Sequence, residues 1–254
     1  MNVQEAQSES VIRLRNLTKS FGAQPVLSDV SLSLERGETV AVIGRSGTGK
    51  SVMLKLIVGL QSPDDGEIEV AGKEITHLTL DELNAVRRNI GFLFQNAALY
   101  DSMTVEENVA FPLRRHTDLN DSQRRDRVRE LLDMVGMADA SEKMPADISG
   151  GMKKRVGLAR ALALDPEIIL LDEPTAGLDP ITASEINDLI RQSREQRQIS
   201  AIVVTHDLRS VKAVADRVAL LNEGKILIDG TLEDLRESDE PFVVRFLKGS
   251  KEEM

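Results

Sequence analysis

The chain has 254 residues, 41% of them hydrophobic, no cysteine and a formal net charge of −10. That length suits one large domain with a subdomain, and that hydrophobic content suffices for a core. The missing cysteines exclude a disulfide framework and a thiolate metal site and fit a reducing compartment, while the acidic balance argues against a broad nucleic-acid or anionic-lipid surface.

Residues 1–10 are polar, lack a signal-peptide core and read as a loose tail. No apolar run approaches the ~20 residues of a membrane span, so any work at a membrane requires spans from another chain. Val11–Leu17 alternates like a half-buried strand, Lys19–Gly22 reads as a turn, and Val26–Leu34 alternates again. Together they predict a small antiparallel sheet beside the main one. Phe21 reads either as a turn anchor in the core or as a platform on which a base could stack.

Thr39-Val40-Ala41-Val42-Ile43 is an apolar run that reads as a buried strand. Gly44-Arg45-Ser46-Gly47-Thr48-Gly49-Lys50-Ser51 follows, and Met53, Leu54, Leu56, Ile57 and Leu60 then recur at helical spacing. Strand, glycine loop and helix form the context of a phosphate-binding P-loop. Glycines let the loop wrap closely, so its N–H groups and the positive helix end face phosphate oxygens. Lys50 is placed to reach the β and γ phosphates, and the Ser51 hydroxyl to ligate Mg²⁺.

Pro63–Gly66 is a turn, Glu67–Val70 and the segment after Gly72 read as a short strand pair, and Leu80–Arg88 reads as a helix. Ile90–Phe94 is a second buried strand ending at Gln95. From Asn96 to about Met144 the pattern is helical (Val105–Leu113, Arg124–Val135), with Asp121-Ser122 as a cap and Pro112 and Gly136 as punctuation. The basic run Arg114-Arg115-His116, Arg124, Arg125 and Arg127 reads as a solvated helix face. Ile148-Ser149-Gly150-Gly151-Met152 leads into a helix through Ala163 and resembles an anion-binding helix start. Glu167–Leu171 is an apolar strand ending in Asp172-Glu173. That pair alone could cap a helix; downstream of a P-loop, Asp172 fits a Mg²⁺ partner, directly or through water, and Glu173 a base that orients water. Ala176–Pro180 turns into a helix over Thr182–Gln196, and Ser200–Val204 is a further buried strand closed by Thr205-His206-Asp207. His206 stands at a strand's carboxyl end, as Asp172 does, whereas His77 and His116 read as surface. Asn222-Glu223-Gly224 marks a hairpin between Arg217–Leu221 and Lys225–Ile228, and Leu232–Arg236 and Phe242–Leu247 read as short helices.

The order of these motifs resembles the ATPase subunit of ATP-binding cassette (ABC) transporters along almost the whole chain. Ile148–Met152 stands where that family carries Leu-Ser-Gly-Gly-Gln; Ile168–Glu173 is similar to its Walker B strand, Asp179 to its D-loop, Gln95 to its Q-loop and His206 to its switch histidine. The resemblance implies an α/β P-loop NTPase fold with a mainly parallel core sheet, an antiparallel β subdomain and a helical subdomain at about residues 96–163, in one domain over 11–247 with a tail at 248–254. It implies ATP and Mg²⁺ as cofactors and turns Phe21 into an adenine platform. The nucleotide would touch Phe21, residues 44–52 including Val52, Gln95 and His206, and in the mate Ser149, Gly150, Gly151, Met152 and Asp179. Lys50, Gln95, Glu173 and His206 would be catalytic, and Ser51, Gln95 and Asp172 would arrange the metal. A head-to-tail homodimer would hold two ATPs at its interface. Met152 departs from the family's Gln and removes an amide, which shifts the expected weight to Ser149 and backbone N–H groups.

A narrower resemblance rests on Ala98–Arg114, Met152 and Val244-Arg245-Phe246-Leu247, which are similar to Mla-type ATPases of bacterial phospholipid transport. It implies an integral permease, a lipid-binding MCE-domain partner, no nucleic acid, and a peripheral place on the cytoplasmic face of the inner membrane. The chain ends soon after Leu247, so a long C-terminal arm of relatives is expected to be missing. Residues 96–144 are the expected dock for the permease, in a groove near Leu99, Tyr100 and Met103. Rival readings share the same motifs: an amino-acid or metal importer, a signalling ATPase of the cell-division type, or a nucleic-acid-associated ABC protein.

Overall fold

The computed structural model describes residues 10–252; residues 1–9, where the expected N-terminal tail falls, lie outside it. β1 (Ser10–Phe21) and β2 (Gln24–Glu35) form a long hairpin, and β1 also pairs antiparallel with β4 (Asp65–Val70), which pairs with β5 (Lys73–Glu74). The hairpin turns at Gly22-Ala23 rather than over Lys19–Gly22. Asp64 explains the longer strand: its carboxylate accepts from Ser20 N at 2.6 Å and from Lys19 Nζ at 2.7 Å, so these polar residues stay in the ladder.

The main sheet has the order β10-β9-β3-β8-β7-β6. β3 (Thr39–Ile43), β6 (Ile90–Leu93), β7 (Ile168–Asp172), β8 (Ser200–Thr205) and β9 (Arg217–Asn222) run parallel, and β10 (Lys225–Gly230) closes one edge antiparallel. Every residue of β3, β7 and β8 is buried. The two-residue period of a strand sends alternate side chains to opposite faces. Val40, Val42, Ile168, Leu170, Ile202 and Val204 join one cluster with α1 (Lys50–Ile57) and the antiparallel sheet. Ile169, Leu171, Ala201 and Val203 face the other way, into a cluster shared with the helical region.

That region is built from α3 (Val105–His116), α4 (Asp121–Met134) and α5 (Gly150–Ala161). The cap of α4 is Asn120, not Asp121-Ser122. Asn120 Oδ1 accepts from Gln123 N at 3.0 Å and Gln123 Oε1 accepts from Asn120 N at 2.9 Å, a reciprocal capping box, while Asp121 pairs with Arg124. α2 (Leu80–Arg87), α6 (Pro180–Arg197), α7 (Leu208–Val214), α8 (Leu232–Glu237) and α9 (Pro241–Glu252) complete the chain. α7 is absent from the sequence reading, and α9 runs past Leu247 into the stretch assigned there to a tail; buried Val243 anchors it. Between α4 and α6 lies a lattice of charges. Arg127 on α4 donates to Glu130 and, at 2.5 Å, to Asp165; Arg197 on α6 donates to the same Asp165 and, at 3.0 Å, to Glu130.

Candidate functional site

β3, β7 and β8 lie side by side and end at the same level: Ile43 is in register with Thr205, and Asp172 with Val204. The loops leaving these carboxyl ends carry the candidate residues, where ligands bind in open α/β sheets. The first loop is shaped by its glycines. A Cβ on Gly44 would stand 2.2 Å from the Leu221 carbonyl oxygen, and one on Gly49 2.9 Å from the Val26 carbonyl oxygen, with φ at +153° and +101°. Thr48 closes the turn, its hydroxyl donating to the Arg45 carbonyl at 2.9 Å. Gly49 supplies no side-chain cap to α1, so the N–H groups of the first turn are left for an acceptor from outside.

Lys50 is buried, and its Nζ donates to the carbonyls of Gly44 at 2.8 Å and Arg45 at 2.9 Å. Burial pushes its pKa down, and Glu173 and Asp172 oppose that fall. Ser51 Oγ donates to Asp172 Oδ1 at 2.7 Å, which joins the helix start to the end of β7. Hydroxyl and carboxylate are hard oxygen donors of the kind suited to Mg²⁺. No cluster of three or more His, Cys, Asp or Glu that could hold a metal occurs among the described residues. This set fits an ion completed by phosphate oxygens and water.

Glu173 is 8% exposed and holds φ at +48°, a conformation that costs a non-glycine residue ~1–3 kcal/mol. Its N–H continues the sheet by donating to the Val204 carbonyl at 2.8 Å. Both carboxylate oxygens lie 3.0 Å from His206 Nδ1. Lys50, Ser51, Asp172, Glu173 and His206 therefore form one contiguous cluster. A cleft of about 490 Å³ opens beside it, lined by Glu173, Gly177, Leu178 and His206. Arg45 and Ser46 are exposed on the loop, Val52 is half-buried, and Gln95 is exposed just past β6. Phe21 is 48% exposed at the hairpin tip, with Lys19 Nζ 5.6 Å from its ring centroid. It is not a core residue, which leaves the platform reading standing.

Ser149, Gly150, Gly151, Met152 and Asp179 lie elsewhere. Among the described residues no hydrogen bond or ion pair joins 149–152 to the loop 44–51. Ser149 caps α5, its Oγ accepting from Met152 N at 3.3 Å. The Met152 side chain packs against the apolar cluster of the helical region, so the thioether fills apolar space where an amide would need a partner. Gly151 abuts α6: a Cβ there would lie 2.6 Å from Thr182 Cγ2. Asp179 caps α6, accepting from Ile181 N at 3.0 Å, Thr182 N at 3.1 Å and Thr182 Oγ1 at 2.6 Å. The Thr182 hydroxyl, more than the backbone N–H groups, holds this carboxyl below its usual range.

Sequence reasoning missed Lys154 and Arg160 on α5. Lys154 is buried, and its Nζ donates to the carbonyls of Gln95 and, at 2.8 Å, Glu173. Arg160 donates to the carbonyls of Ala97 at 2.5 Å and Ala98 at 2.7 Å. A signal was present: Gly151, Lys154, Leu158 and Ala161 recur at 3-4-3 spacing on the buried stripe of α5.

Fold and site together define a P-loop nucleotide-binding protein whose phosphate loop, carboxylate pair and histidine converge at the carboxyl ends of three parallel strands. The sequence pattern described as ABC transporter matches residues 27–176, and the chain belongs to that family: it is an ATP-binding ATPase of the ABC transporter type. It is 43% identical over 240 residues to "Probable ribonucleotide transport ATP-binding protein mkl" of Mycobacterium leprae, covering 94% of this chain and 69% of that one. It is 40% identical over 245 residues to "Intermembrane phospholipid transport system ATP-binding protein MlaF" of Haemophilus influenzae, covering 96% of this chain and 93% of that one. Among solved structures, a dimeric post-hydrolysis state of the ATP-binding cassette MJ0796 bound to ADP and Pi superposes with a TM-score of 0.81 at 35% identity, over 87% of this chain and 98% of that one.

Proposed function

We propose that this ATPase powers phospholipid transport between membranes, seated on the cytoplasmic face of a bacterial inner membrane with a separate permease and a lipid-binding MCE-domain protein. The similarity to MlaF over nearly the whole of both chains carries this reading. The Ala98–Arg114 stretch and Met152 support it. A groove of about 560 Å³ on the helical region suits the permease. Three of the chain's six Phe and its one Tyr line it: Phe92, Phe94, Phe111 and Tyr100. Arg87, Arg88, His116 and Arg160 also line it, so an apolar helix carrying an acidic residue would complement it. The groove lies beside Tyr100 but not beside Leu99 or Met103; Leu99 turns inward and packs against the helical cluster.

In the proposed cycle two copies meet head to tail, and each ATP lies between one P-loop and Ser149-Gly150-Gly151 of the other copy, with Asp179 close by. The MJ0796 dimer supports this arrangement. Phe21 stacks on the adenine. Lys50 and the N–H groups of residues 44–52 neutralise phosphate charge, which is most of what such a site must do. Ser51, Asp172 and Gln95 would hold Mg²⁺, which supplies charge neutralisation between the phosphates. Glu173 orients the attacking water and takes its proton, while His206 fixes the Glu173 carboxylate through Nδ1 and contacts the γ-phosphate.

The test is reconstitution of the copurified complex in liposomes. ATP-dependent movement of labelled phospholipid that vanishes with Glu173→Gln supports the proposal. ATP-dependent uptake of a ribonucleotide, amino acid or metal, with no lipid movement, would replace it by an importer, and hydrolysis with no cargo by a signalling role.

A further inference from the structure

Lys154 is 5% exposed, yet among the described residues no carboxylate forms an ion pair with it. Burying an ammonium is costly unless its donors are satisfied. Burial lowers its pKa, and the nearby Asp172 and Glu173 resist that shift. Its two recorded acceptors are main-chain carbonyls, of Gln95 and Glu173, on loops leaving two different strands. The Glu173 carbonyl belongs to a residue in the left-handed region and also accepts from Ala176 N at 3.3 Å, so the shorter bond from a charged donor is the stronger hold on that peptide plane.

The same helix grips the other loop a second time. Ala97 and Ala98 have φ of +58° and +46°, and Arg160 donates to both of their carbonyls. Gly157 lets that loop approach, since a Cβ there would lie 3.2 Å from Ala97 Cβ and 2.6 Å from Leu93 Cδ1. Thus α5 carries Ser149 at its start, the Gln95–Ala98 loop along its side, and Glu173 through one ammonium.

We infer that Lys154 is a positioning residue for hydrolysis: its ammonium holds the Glu173 and Gln95 carbonyls so that the placement of α5 sets where the Glu173 carboxylate stands. This rests on the reading of Glu173 as the group that orients water. A shift of α5, from the aromatic groove or from a second copy at Ser149, reaches the carboxylate through Lys154.

The test uses the full chain with ATP and Mg²⁺. Lys154→Met keeps the length of the side chain and removes both bonds; kcat should fall about tenfold or more with KM for ATP within about twofold, because the phosphate loop is untouched. Lys154→Arg, which restores a charged donor, should recover much of kcat. Arg160→Met, which frees the loop without touching Glu173, should lose less kcat than Lys154→Met. If the Met variant is insoluble, Lys154→Leu, which likewise carries no donor, is read the same way. A kcat within about twofold of wild type, or a KM rise matching the kcat loss, overturns the inference. Glu173→Gln is run beside these variants: wild-type turnover there removes the underlying reading of Glu173 instead, whatever Lys154 does.

Discussion

The contact between Gly151 and Thr182 offers a test in which packing and nucleotide chemistry separate. In Gly151→Ala the new methyl carbon would start 2.6 Å from Thr182 Cγ2, about 1 Å inside ordinary contact. Thr182 cannot simply rotate away, because its hydroxyl donates to Asp179 Oδ2 at 2.6 Å and also belongs to the cap of α6. Overpacking of this kind costs ~1–3 kcal/mol, less the ~0.5–1 kcal/mol by which Ala improves on Gly in a helix. The expected net loss is ~1–2 kcal/mol, or a fall in Tm of ~2–4 °C for each kcal/mol in a chain of this size. Thr182→Ser deletes the offending methyl and keeps the hydroxyl bond; alone it should cost no more than ~0.8 kcal/mol. In the double variant the alanine methyl occupies the space that the threonine methyl left. Its stability should fall within ~0.5 kcal/mol of Thr182→Ser, giving a coupling of ~1 kcal/mol or more. Urea unfolding of the four proteins measures the cycle. Additive single effects would show that the two residues do not meet as described. ATPase activity of the same four proteins then answers a separate question. If the double variant regains stability but not turnover, Gly151 also serves the nucleotide.

Other outcomes follow from the same geometry. Phe21→Ala should weaken ATP binding about fivefold or more through lost stacking, with little change in Tm because the ring is half-exposed; equilibrium binding of a fluorescent ATP analogue measures it, and unchanged affinity refutes the platform. Tyr100→Asp or Phe111→Asp should abolish copurification with the permease and leave ATP binding by the isolated protein intact, since both residues lie in the groove and neither touches the phosphate loop. Thr182→Val should lower stability at neutral pH and leave it nearly unchanged in strong acid. The Asp179 carboxyl is held below 3.8, so its contribution to stability is present above about pH 4 and is lost as pH falls through the lowered value. The stability gap between wild type and Thr182→Val should therefore be open at neutral pH and close in strong acid; a gap that widens in acid contradicts the assignment.

The strand ends were legible in the sequence because β3, β7 and β8 are buried on both faces, which leaves unbroken apolar runs that stop at glycine, Asp172 and His206. The phosphate loop was legible because its backbone demands glycine at Gly44 and Gly49. Lys154 was not, since Met152-Lys153-Lys154-Arg155 reads as a polar face until the helix phase is known, and only then do Lys153 and Lys154 part ways. The helix α7 is hidden in the sequence because its cap, Asp207, directly follows His206 and reads as the close of a strand; its carboxylate accepts from Arg209 N at 2.9 Å and Ser210 N at 3.3 Å. Of the three residues expected beside the groove, Tyr100 lines it and Leu99 and Met103 do not. Leu99 and Tyr100 are neighbours, but one turns inward and the other outward, which periodicity cannot resolve in an irregular loop.

The charge lattice of Arg127, Glu130, Asp165 and Arg197 clamps α4 to α6 along one rim of the molecule. Because its members are partly exposed, dissolved salt weakens this clamp while leaving the apolar seam between the helices and the sheet intact.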